Sequence, residues 1–510
     1  MSLNEYMQRL RGFLIPTSQN LLLTAQMKLL KQLVSKPHPA LNIEYKMSRD
    51  GMNYVVFTNK DFKEEEASED IETPREAPRT LVLCHGYGAG LGFFFNNYSR
   101  FLTSGPGSSR SSYDRVVAVD WLGMGASKRP STSHPNTPRL SISNIIYSAY
   151  TGNSSSADEE VIPKSINFFV DSLHSLLQDE AVVLSPQSNS NKVKRFDLAA
   201  HSLGGYLAYK YVRKYQSGST TSETQLRGLI LASPCGIPHA PPAHQQVTQE
   251  EGGWGLRLVR AFWASNGTPQ QIVRLMGSRG PKIIEGSLNR RFKNKWGATT
   301  ASNSSSGGDK GDKSEKEGGI RGETQDKEAV ALSAREKIYT QNTSYKSDPS
   351  DTAETSETSD TPGVNLNSES IGGKAELELI SQYLYHITAQ PASGEYALNS
   401  LLTPALWTNT GYDPNKEEEY GNRRIKGGIF AKRAIEDELC SLKVPLLLQF
   451  GDDDWLKFDN VEDKVEKWRK AGVRVTYDVI RGGHHLYMDD PDHFHESIDN
   501  WKTKLDQLDQ

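Results

Sequence analysis

The sequence predicts an α/β protein whose mostly parallel sheet carries helices on both faces. Apolar, β-branched runs that end in or near Gly, Asp, Ser or His occur at residues 80–85, 115–120, 196–201, 226–233, 445–451 and 473–480. Helical stretches lie between them, at residues 166–177, 203–215 and 461–470. Continuous apolar runs are typical of strands buried on both faces, and the alternation of strand and helix is typical of a parallel sheet.

The composition fits one large globular unit rather than a small disulfide-linked scaffold. The 510 residues include 59 basic and 63 acidic side chains, and 36% are hydrophobic. This near balance of charge gives no indication of a nucleic-acid partner. The three cysteines, Cys84, Cys235 and Cys440, are few and widely spaced, as expected for reduced thiols. No apolar run of 18 residues occurs, so we expect no membrane-spanning helix.

Residues 1–40 have the pattern of a basic amphipathic segment. One helical face is apolar and consists of Leu23, Met27, Leu30 and Val34. The neighbouring face is polar and consists of Thr24, Lys28, Lys31 and Ser35. Such a helix either packs on the domain or lies on a lipid surface, and the pattern favours neither alternative.

The rest of the chain is predicted to consist of three parts. Residues 41–235 hold the first part of the core and begin with a predicted hairpin at residues 43–59. Residues 236–436 are predicted to form a helical lid, called the cap below. At about residues 298–373 the cap carries an insertion rich in Ser, Thr and Glu, which is predicted to be disordered because it has too few apolar side chains to bury. Residues 437–510 complete the core.

A nucleophile elbow is the sharpest motif. A predicted strand runs into Ala200-His201-Ser202-Leu203-Gly204-Gly205 and then into a helix. In an elbow the serine occupies a strained turn with its hydroxyl group exposed, so its neighbours must be small. Ala200 stands where the first glycine of G-x-S-x-G is usual, and it is small enough for the turn to close. We predict Ser202 as the nucleophile; a purely structural turn is the alternative.

The strand at residues 81–85 ends in His85-Gly86-Tyr87-Gly88. Next to a nucleophile elbow, such a loop donates one backbone N–H group to an oxyanion hole, and the residue after the nucleophile donates the other. We therefore predict the amides of Tyr87 and Leu203 in this role. The alternative is a dinucleotide-binding loop, but the glycines recur at every second position, unlike the G-x-G-x-x-G pattern.

The acid and the base are predicted near the C-terminus, in the chain order Ser, Asp, His. One strand ends in Gly451 followed by three aspartates, of which Asp454 is our choice and Asp452 and Asp453 are alternatives. The last strand ends in Gly-Gly followed by His484, the predicted base, with His485 second. All three carboxylates could instead be solvated loop charges.

A metal site is the alternative for the acidic and histidine-rich segment that begins at His484. The spacing of its ligand-type residues matches no common metal-binding motif, so none is predicted. Asp490 precedes Pro491, which is the pattern of a helix N-cap followed by proline in the first turn. Asp120 and Ser127, after an earlier strand, are predicted as polar anchors of a structural loop.

Together these motifs resemble one branch of the α/β-hydrolase family. The resemblance rests on the HGYGAG, DWLGMG and HSLGG segments at residues 85–90, 120–125 and 201–205, on YLYH and SGE at 383–386 and 393–395, and on His484 with Asp489. That branch contains the mitochondrial cardiolipin-specific deacylase, N-acyl phospholipid lipases and the lipid-droplet coactivator of triacylglycerol lipase. The resemblance covers the core and the cap, from about residue 43 onward, and implies the α/β-hydrolase fold.

The resemblance implies a triad of Ser202, Asp454 and His484, a glycerophospholipid or lysophospholipid substrate, and no cofactor. His484 and Asp489 match the H-x-x-x-x-D signature that the family associates with lysophosphatidic acid acyltransferase activity, for which acyl-CoA would be a further partner. In the coactivator the nucleophile is replaced, so Ser202 favours an active enzyme over a non-catalytic scaffold. Transfer of the acyl group to water would make the protein a deacylase, and transfer to a lysolipid an acyltransferase.

The resemblance also implies a location on a membrane surface. A peripheral protein of the mitochondrion is favoured, with the lipid droplet or the cytosol as alternatives. The basic N-terminal segment is compatible with mitochondrial targeting without matching an Arg- and Ser-rich presequence.

Overall fold

The computed structural model describes residues 15–60, 79–103, 112–130, 158–178, 194–216, 224–242, 262–263, 266–301, 373–408 and 425–508. The chain divides into a main unit, residues 1–296 and 370–510, and a second unit, residues 297–369. The predicted insertion at residues 298–373 falls almost wholly outside the described residues. Its predicted disorder therefore stays a prediction.

In the described ranges, ten strands form two sheets. The strands are β1 Leu41–Met47, β2 Asn53–Asn59, β3 Thr80–Cys84, β4 Arg115–Val119, β5 Lys194–His201, β6 Thr224–Ala232, β7 Leu402–Thr408, β8 Ile425–Ala431, β9 Leu446–Gly451 and β10 Val475–Ile480. The main sheet has the order β1-β2-β4-β3-β5-β6-β9-β10, and β7 pairs with β8 in a separate sheet. In the main sheet β2 is antiparallel to both of its neighbours, and every other pair is parallel. The predicted mostly parallel sheet is confirmed.

Helices connect most of the strands. Their bounds are α1 Gln19–Leu30, α2 Tyr98–Leu102, α3 Asp158–Gln178, α4 Leu203–Tyr215, α5 Pro269–Leu275, α6 Gly280–Ala301, α7 Lys374–Ala389, α8 Ala397–Leu401, α9 Glu436–Leu439, α10 Val461–Lys470, α11 Leu486–Asp489 and α12 Pro491–Leu508. Asp490 caps α12, because its carboxylate accepts a hydrogen bond from the His493 N–H group at 3.1 Å. Within the described ranges, no helix is both long and apolar enough to cross a bilayer.

The central strand β3 contributes side chains to two separate cores. Val82 and Cys84 lie in one core, and Leu81 and Leu83 lie in the other, because successive side chains of a strand point to opposite faces. Helices α3, α4 and α10 cover the first face, and α1, α2 and α12 cover the second. The sheet is therefore buried on both sides, as its continuous apolar runs predict.

The N-terminal helix α1 packs on the main unit. Leu30 and Val34 of its predicted apolar face are fully buried, whereas Met27 of the same face is 48% exposed. Gln26 is also buried, and its side-chain oxygen accepts a hydrogen bond from the Asn53 amide at 3.1 Å. Packing on the protein core therefore accounts for Leu30 and Val34, and the alternative in which the face lies on a lipid surface stays a prediction for the exposed Met27.

The cap contains α5 to α8 and the β7–β8 pair. Helix α5 begins with a capping box, in which the side chains of Thr268 and Gln271 accept hydrogen bonds from each other's backbone N–H groups. Arg274 then joins α5 to α7 by donating to the carbonyl oxygens of Thr388 and Gln390, each at 3.0 Å. The β7–β8 pair was not predicted, since Pro404 within β7 argues against a strand.

Candidate active site

The carboxyl ends of three parallel strands meet at one edge of the sheet. Ser202 follows β5, Asp454 follows β9 by a short loop, and His484 follows β10 by a short loop. Strands β5, β6, β9 and β10 are consecutive in the sheet, so residues at their carboxyl ends lie side by side. Open α/β sheets place their functional groups in the crevice at these ends.

Ser202 occupies the strained turn between β5 and α4. Its φ of 54° and ψ of −122° lie in a backbone region that residues other than glycine rarely adopt. This strained conformation is that of a nucleophile elbow. The turn requires close packing on both sides. A Cβ atom on Gly204 would lie 2.3 Å from the carbonyl oxygen of His85, and one on Gly205 would lie 3.0 Å from the Cβ atom of Pro234. Ala200, which replaces the usual glycine, is buried in the strand without breaking the turn.

Ser202, His484 and Asp454 form one chain of hydrogen bonds. The Oγ atom of Ser202 lies 2.9 Å from the Nε2 atom of His484. The Nδ1 atom of His484 lies 3.0 Å from the Oδ1 atom of Asp454. With a proton on Nδ1, the imidazole donates to the carboxylate and accepts the hydroxyl proton of the serine at Nε2.

Asp454 is the only one of the three consecutive aspartates that reaches His484 within the described residues. Burial favours its neutral form, but hydrogen bonds from His484 and from the Leu456 N–H group outweigh this effect and lower the pKa of the carboxyl group. Asp452 is exposed and accepts instead from the Gly482 N–H group at 2.7 Å. Asp453 is also exposed, and its backbone N–H group donates to the carbonyl oxygen of Gly482 at 3.0 Å.

Two other histidines lie next to His484: His201 holds it in place, and His485 packs beside it. The Nε2 atom of His201 lies 2.8 Å from the backbone oxygen of His484, which fixes the loop that carries the base. His201 was not predicted, although it directly precedes the nucleophile. The ring of His485, the second choice for the base, packs against the rings of Phe93 and Tyr487. The structure therefore brings His484 and not His485 to the serine.

Asp489 lies beside the same loop. Its Oδ2 atom accepts a hydrogen bond from the Gly483 N–H group at 2.9 Å, and a Cβ atom on Gly482 would lie 2.5 Å from the Cβ atom of Asp489. The carboxylate is on the exposed side of the turn. The aspartate of the H-x-x-x-x-D signature therefore supports the Gly482-Gly483 turn that directly precedes His484.

The predicted oxyanion loop lies against the nucleophile. A Cβ atom on Gly86 would lie 2.9 Å from the Cβ atom of Ser202, so only glycine allows this approach. The indole N–H group of Trp121 donates to the His85 carbonyl at 2.9 Å and holds the strand end. The hydroxyl group of Tyr87 donates to the side-chain oxygen of Gln270 in the cap. Burial lowers the pKa of His85, which keeps this residue neutral and structural.

The loop after β4 is anchored as predicted. The buried carboxylate of Asp120 accepts hydrogen bonds from the Leu91 and Ala126 N–H groups at 2.7 and 2.8 Å. The Ser127 hydroxyl group donates to the Asp120 carbonyl at 2.7 Å. Gly123 of this loop accepts a hydrogen bond from the Gly394 N–H group of the cap. The SGE and DWLGMG segments of the sequence are therefore in direct contact.

A small cleft opens beside Tyr87, between the core and the cap. Its walls consist of Tyr87, Gly88, Ala89, Gly123, Met124, Gly125, Arg129, Gln270, Ile387 and Glu395. On the other side of the base, the ring of Trp455 lies 5.1 Å from that of His484 and is 54% exposed. In the part of the chain that the structure describes, no group of three or more metal-ligating side chains occurs.

Comparison with known proteins agrees with this fold. The family model described as "Alpha/beta hydrolase family" matches residues 81–306. A 1-acylglycerol-3-phosphate O-acyltransferase of Arabidopsis thaliana is 23% identical over 95% of this chain and 80% of its own length. The human (lyso)-N-acylphosphatidylethanolamine lipase is 21% identical over 85% of this chain and 82% of its own length. The rat 1-acylglycerol-3-phosphate O-acyltransferase ABHD5 is 29% identical over 82% of this chain and 75% of its own length. These are lipases and acyltransferases of the branch that the motifs resemble. The chain has the α/β-hydrolase fold and is similar to this family over residues 81–306.

Proposed function

We propose that this protein is a serine hydrolase that deacylates glycerophospholipids through an acyl-enzyme. The observation that carries the proposal is the hydrogen-bonded chain from Ser202 through His484 to Asp454. A serine hydroxyl group is a weak nucleophile at neutral pH, and it becomes reactive when an oriented base accepts its proton.

Each residue of the chain has one task in the proposed reaction. His484 accepts the Ser202 proton at Nε2 while Oγ attacks the ester carbonyl carbon. The resulting oxyanion accepts hydrogen bonds from the Tyr87 and Leu203 amides. As the intermediate collapses, the Nε2 proton passes to the leaving lysolipid oxygen, and the acyl group stays on Ser202. The Asp454 carboxylate stabilises the imidazolium ion throughout.

The relatives support a lipid ester as the substrate. One is named for an N-acylphosphatidylethanolamine and its lyso form, and two for 1-acylglycerol 3-phosphate. These substrates share a glycerol phosphate backbone and a long acyl chain. We propose the same class for this chain, with cardiolipin as a member, and the mitochondrial location stays a prediction.

Acyl transfer is the second candidate, because two of these relatives are named as acyltransferases. It shares the acyl-enzyme with the hydrolase. In hydrolysis His484 deprotonates water, which releases a fatty acid; in transfer it deprotonates a lysolipid hydroxyl group, and acyl-CoA would supply the acyl group. The non-catalytic scaffold is the third alternative, and an assembled Ser202–His484 pair argues against it.

We propose that the enzyme reaches its substrate from an anionic lipid surface by means of the cap. Ile272, Leu275 and Met276, on α5 and the turn after it, are 50%, 82% and 41% exposed. Arg279 and Lys282 beside them are exposed as well. Apolar side chains flanked by cations are the combination that adsorbs to anionic bilayers. Helix α5 also carries Gln270, so this patch is next to the cleft.

Two assays test the proposed activity. A fluorophosphonate ester that labels activated serines should modify Ser202, and peptide mass spectrometry should find no adduct on Ser202→Ala. Product analysis then compares phospholipid liposomes with water as the only acceptor and liposomes that also contain lysophosphatidic acid and acyl-CoA. Fatty acid and lysolipid support the hydrolase, and phosphatidic acid made from acyl-CoA supports the transferase. No labelling and no product would contradict both.

A further inference from the structure

Arg129 lines the cleft beside the proposed active site, and no carboxylate of the described residues forms an ion pair or a hydrogen bond with it. Its Nη2 and Nη1 atoms donate to the backbone oxygens of Gly125 and Ser127, at 2.9 and 3.2 Å. Its Nε atom is buried and makes no hydrogen bond to any residue of the described ranges. Arg129 also forms no ion pair with the carboxylates that the structure describes, so backbone carbonyls alone hold the guanidinium group.

The cleft that Arg129 lines begins at the predicted oxyanion loop. Tyr87 and Gly88 form one wall, and Met124 and Ile387 form apolar parts of the others. Gly86, which packs against Ser202, directly precedes Tyr87 and Gly88 of the cleft wall, so the cleft begins one residue beyond the contact with the proposed nucleophile. The cleft is thus adjacent to the position of the reacting ester.

The one carboxylate in the cleft wall already has partners of its own. Both oxygens of Glu395 accept from the Arg274 guanidinium group, one of them at 2.9 Å. The Thr268 hydroxyl group also donates to Glu395, at 2.6 Å. Glu395 and Asp120 favour the charged form of Arg129, but neither accepts a hydrogen bond from it in the described ranges: Arg274 occupies Glu395, and backbone N–H groups occupy Asp120. The Nε–H group of Arg129 is therefore left for a ligand.

A second donor faces the same space. The side-chain oxygen of Gln270 accepts from the Tyr87 hydroxyl group, which directs the Gln270 amide nitrogen away from Tyr87. A Cβ atom on Gly88, in the cleft wall, would lie 3.3 Å from that nitrogen. Together, Arg129 and Gln270 present a charge and an N–H donor to one cleft.

A buried N–H group that lacks a hydrogen-bond acceptor, such as Nε of Arg129, is costly unless a ligand completes its hydrogen bonds. Burial lowers the pKa of Arg129 to about 10, so the group stays charged at neutral pH. Phosphate is the anion that arginine binds best, since its oxygens match the planar fork of N–H groups.

We propose that Arg129 and Gln270 bind the phosphate group of the glycerophospholipid substrate and thereby set the distance between headgroup and scissile ester. This inference rests on the proposed function, because it assigns the headgroup of that substrate. Through this contact Arg129 would determine which substrates the enzyme prefers. A phosphate-bearing lipid gains this contact, and a neutral acylglycerol does not.

The test measures binding without turnover, so that it does not depend on the proposed catalysis. Ser202→Ala protein is titrated by calorimetry with short-chain lysophosphatidic acid below its micellar concentration and with the monoacylglycerol of the same chain. Arg129→Gln should weaken lysophosphatidic acid binding about 10- to 100-fold, the usual effect of losing a charge-assisted contact. The ratio of the two affinities is the readout, since misfolding would reduce both. Arg49→Gln, at an exposed arginine in the turn between β1 and β2 and outside the cleft, is the matched control.

Gln270→Glu provides a second, independent variant. Glutamate keeps the acceptor for the Tyr87 hydroxyl group but adds a negative charge to the cleft, so it should also lower the affinity ratio. An unchanged ratio in both variants would overturn the proposal. Inorganic phosphate that binds as tightly as the lipid would also overturn it, because the site would then serve a free anion. Arg129→Lys should recover part of the ratio.

A turnover assay separates this proposal from the proposed function. If the wild-type protein cleaves no ester but still binds lysophosphatidic acid through Arg129, the function fails and the binding site stands. If the wild-type protein cleaves both phospholipid and acylglycerol, and Arg129→Gln does not change the ratio of the two rates, the phosphate site is contradicted and the proposed function stands.

Discussion

The Nε2 atom of His484 lies 2.9 Å from the Oγ atom of Ser202, although 282 residues separate them in the chain. The two side chains meet because β5 and β10 run in the same direction and end at the same edge of the sheet. Asp454 joins them from β9, which lies between. Each of the three comes from a short turn after a buried strand, so the rigid sheet fixes their separation.

Replacing Asp454 should reduce turnover far more than replacing its neighbour. Asp454→Asn removes the acceptor that fixes the proton on Nδ1 of His484, and the expected loss in kcat is about 10⁴-fold. Asp452→Asn keeps an acceptor for the Gly482 N–H group, and we expect less than about a tenfold loss. The measurement is kcat on a soluble ester at neutral pH. Equal losses in the two variants would contradict the assignment of Asp454.

Asp489 should affect hydrolysis and acyl transfer equally. Asp489→Ala removes the acceptor of the Gly483 N–H group and loosens the turn that carries His484, so both rates should fall about 10-fold or more. Asp489→Asn keeps an acceptor oxygen and should recover much of the loss. Parallel assays with water and with lysophosphatidic acid as acceptors check this. Loss of transfer alone would show instead that Asp489 serves the acyltransferase reaction specifically.

His386 should make the fold sensitive to mild acid. Burial in α7 lowers its pKa to about 4, against about 6.5 in the unfolded chain. Between these values the unfolded chain binds more protons, so stability is full above about pH 6.5 and falls as the pH drops toward 4. The loss is up to about 3 kcal/mol in the free energy of unfolding.

Urea unfolding of His386→Gln at pH 7 and pH 5 checks this prediction. The variant should lose less stability between the two pH values than the wild-type protein does. His239→Gln, at a histidine that is 60% exposed, is the control and should behave like the wild type. A pH dependence that is the same in all three proteins would contradict the role of His386.

The exposed patch on α5 should determine binding to anionic liposomes. Leu275→Asp places a charge at the most exposed apolar side chain of the cap, and the affinity for bilayers should fall about tenfold. Met27→Asp changes an exposed methionine on α1 and should leave liposome flotation unchanged. If Met27→Asp reduced flotation and Leu275→Asp did not, the membrane contact would lie at the N-terminal helix.

Local patterns in the sequence were enough to find Ser202 and His484. The strand, the small residues and the helix of the elbow are consecutive in the chain, and so are β10 and the Gly-Gly turn. The choice among Asp452, Asp453 and Asp454 was less certain, because it depends on how the turn after β9 faces β10. The orientation of this turn depends on tertiary contacts, which the spacing of three residues between Gly451 and Asp454 does not determine.

Other features depend on contacts that a sequence pattern does not contain. The apolar face of α1 could be recognised, but whether protein or lipid covers it could not. Arg129 belongs to no sequence motif, because its proposed role depends on a buried Nε–H group without an acceptor among the described residues. Asp489 was noticed for its spacing from His484, whereas its contact with the Gly483 amide was not foreseen.

The most direct test of the central claim is the release of lysolipid and fatty acid from phospholipid liposomes that include cardiolipin, measured by mass spectrometry. Purified wild-type protein, Ser202→Ala and the exposed-serine control Ser441→Ala are compared at equal concentration. We expect product from the wild type and the control, and a loss of at least about 10³-fold in Ser202→Ala with an unchanged melting temperature. Deacylation by Ser202→Ala at the wild-type rate would contradict the account.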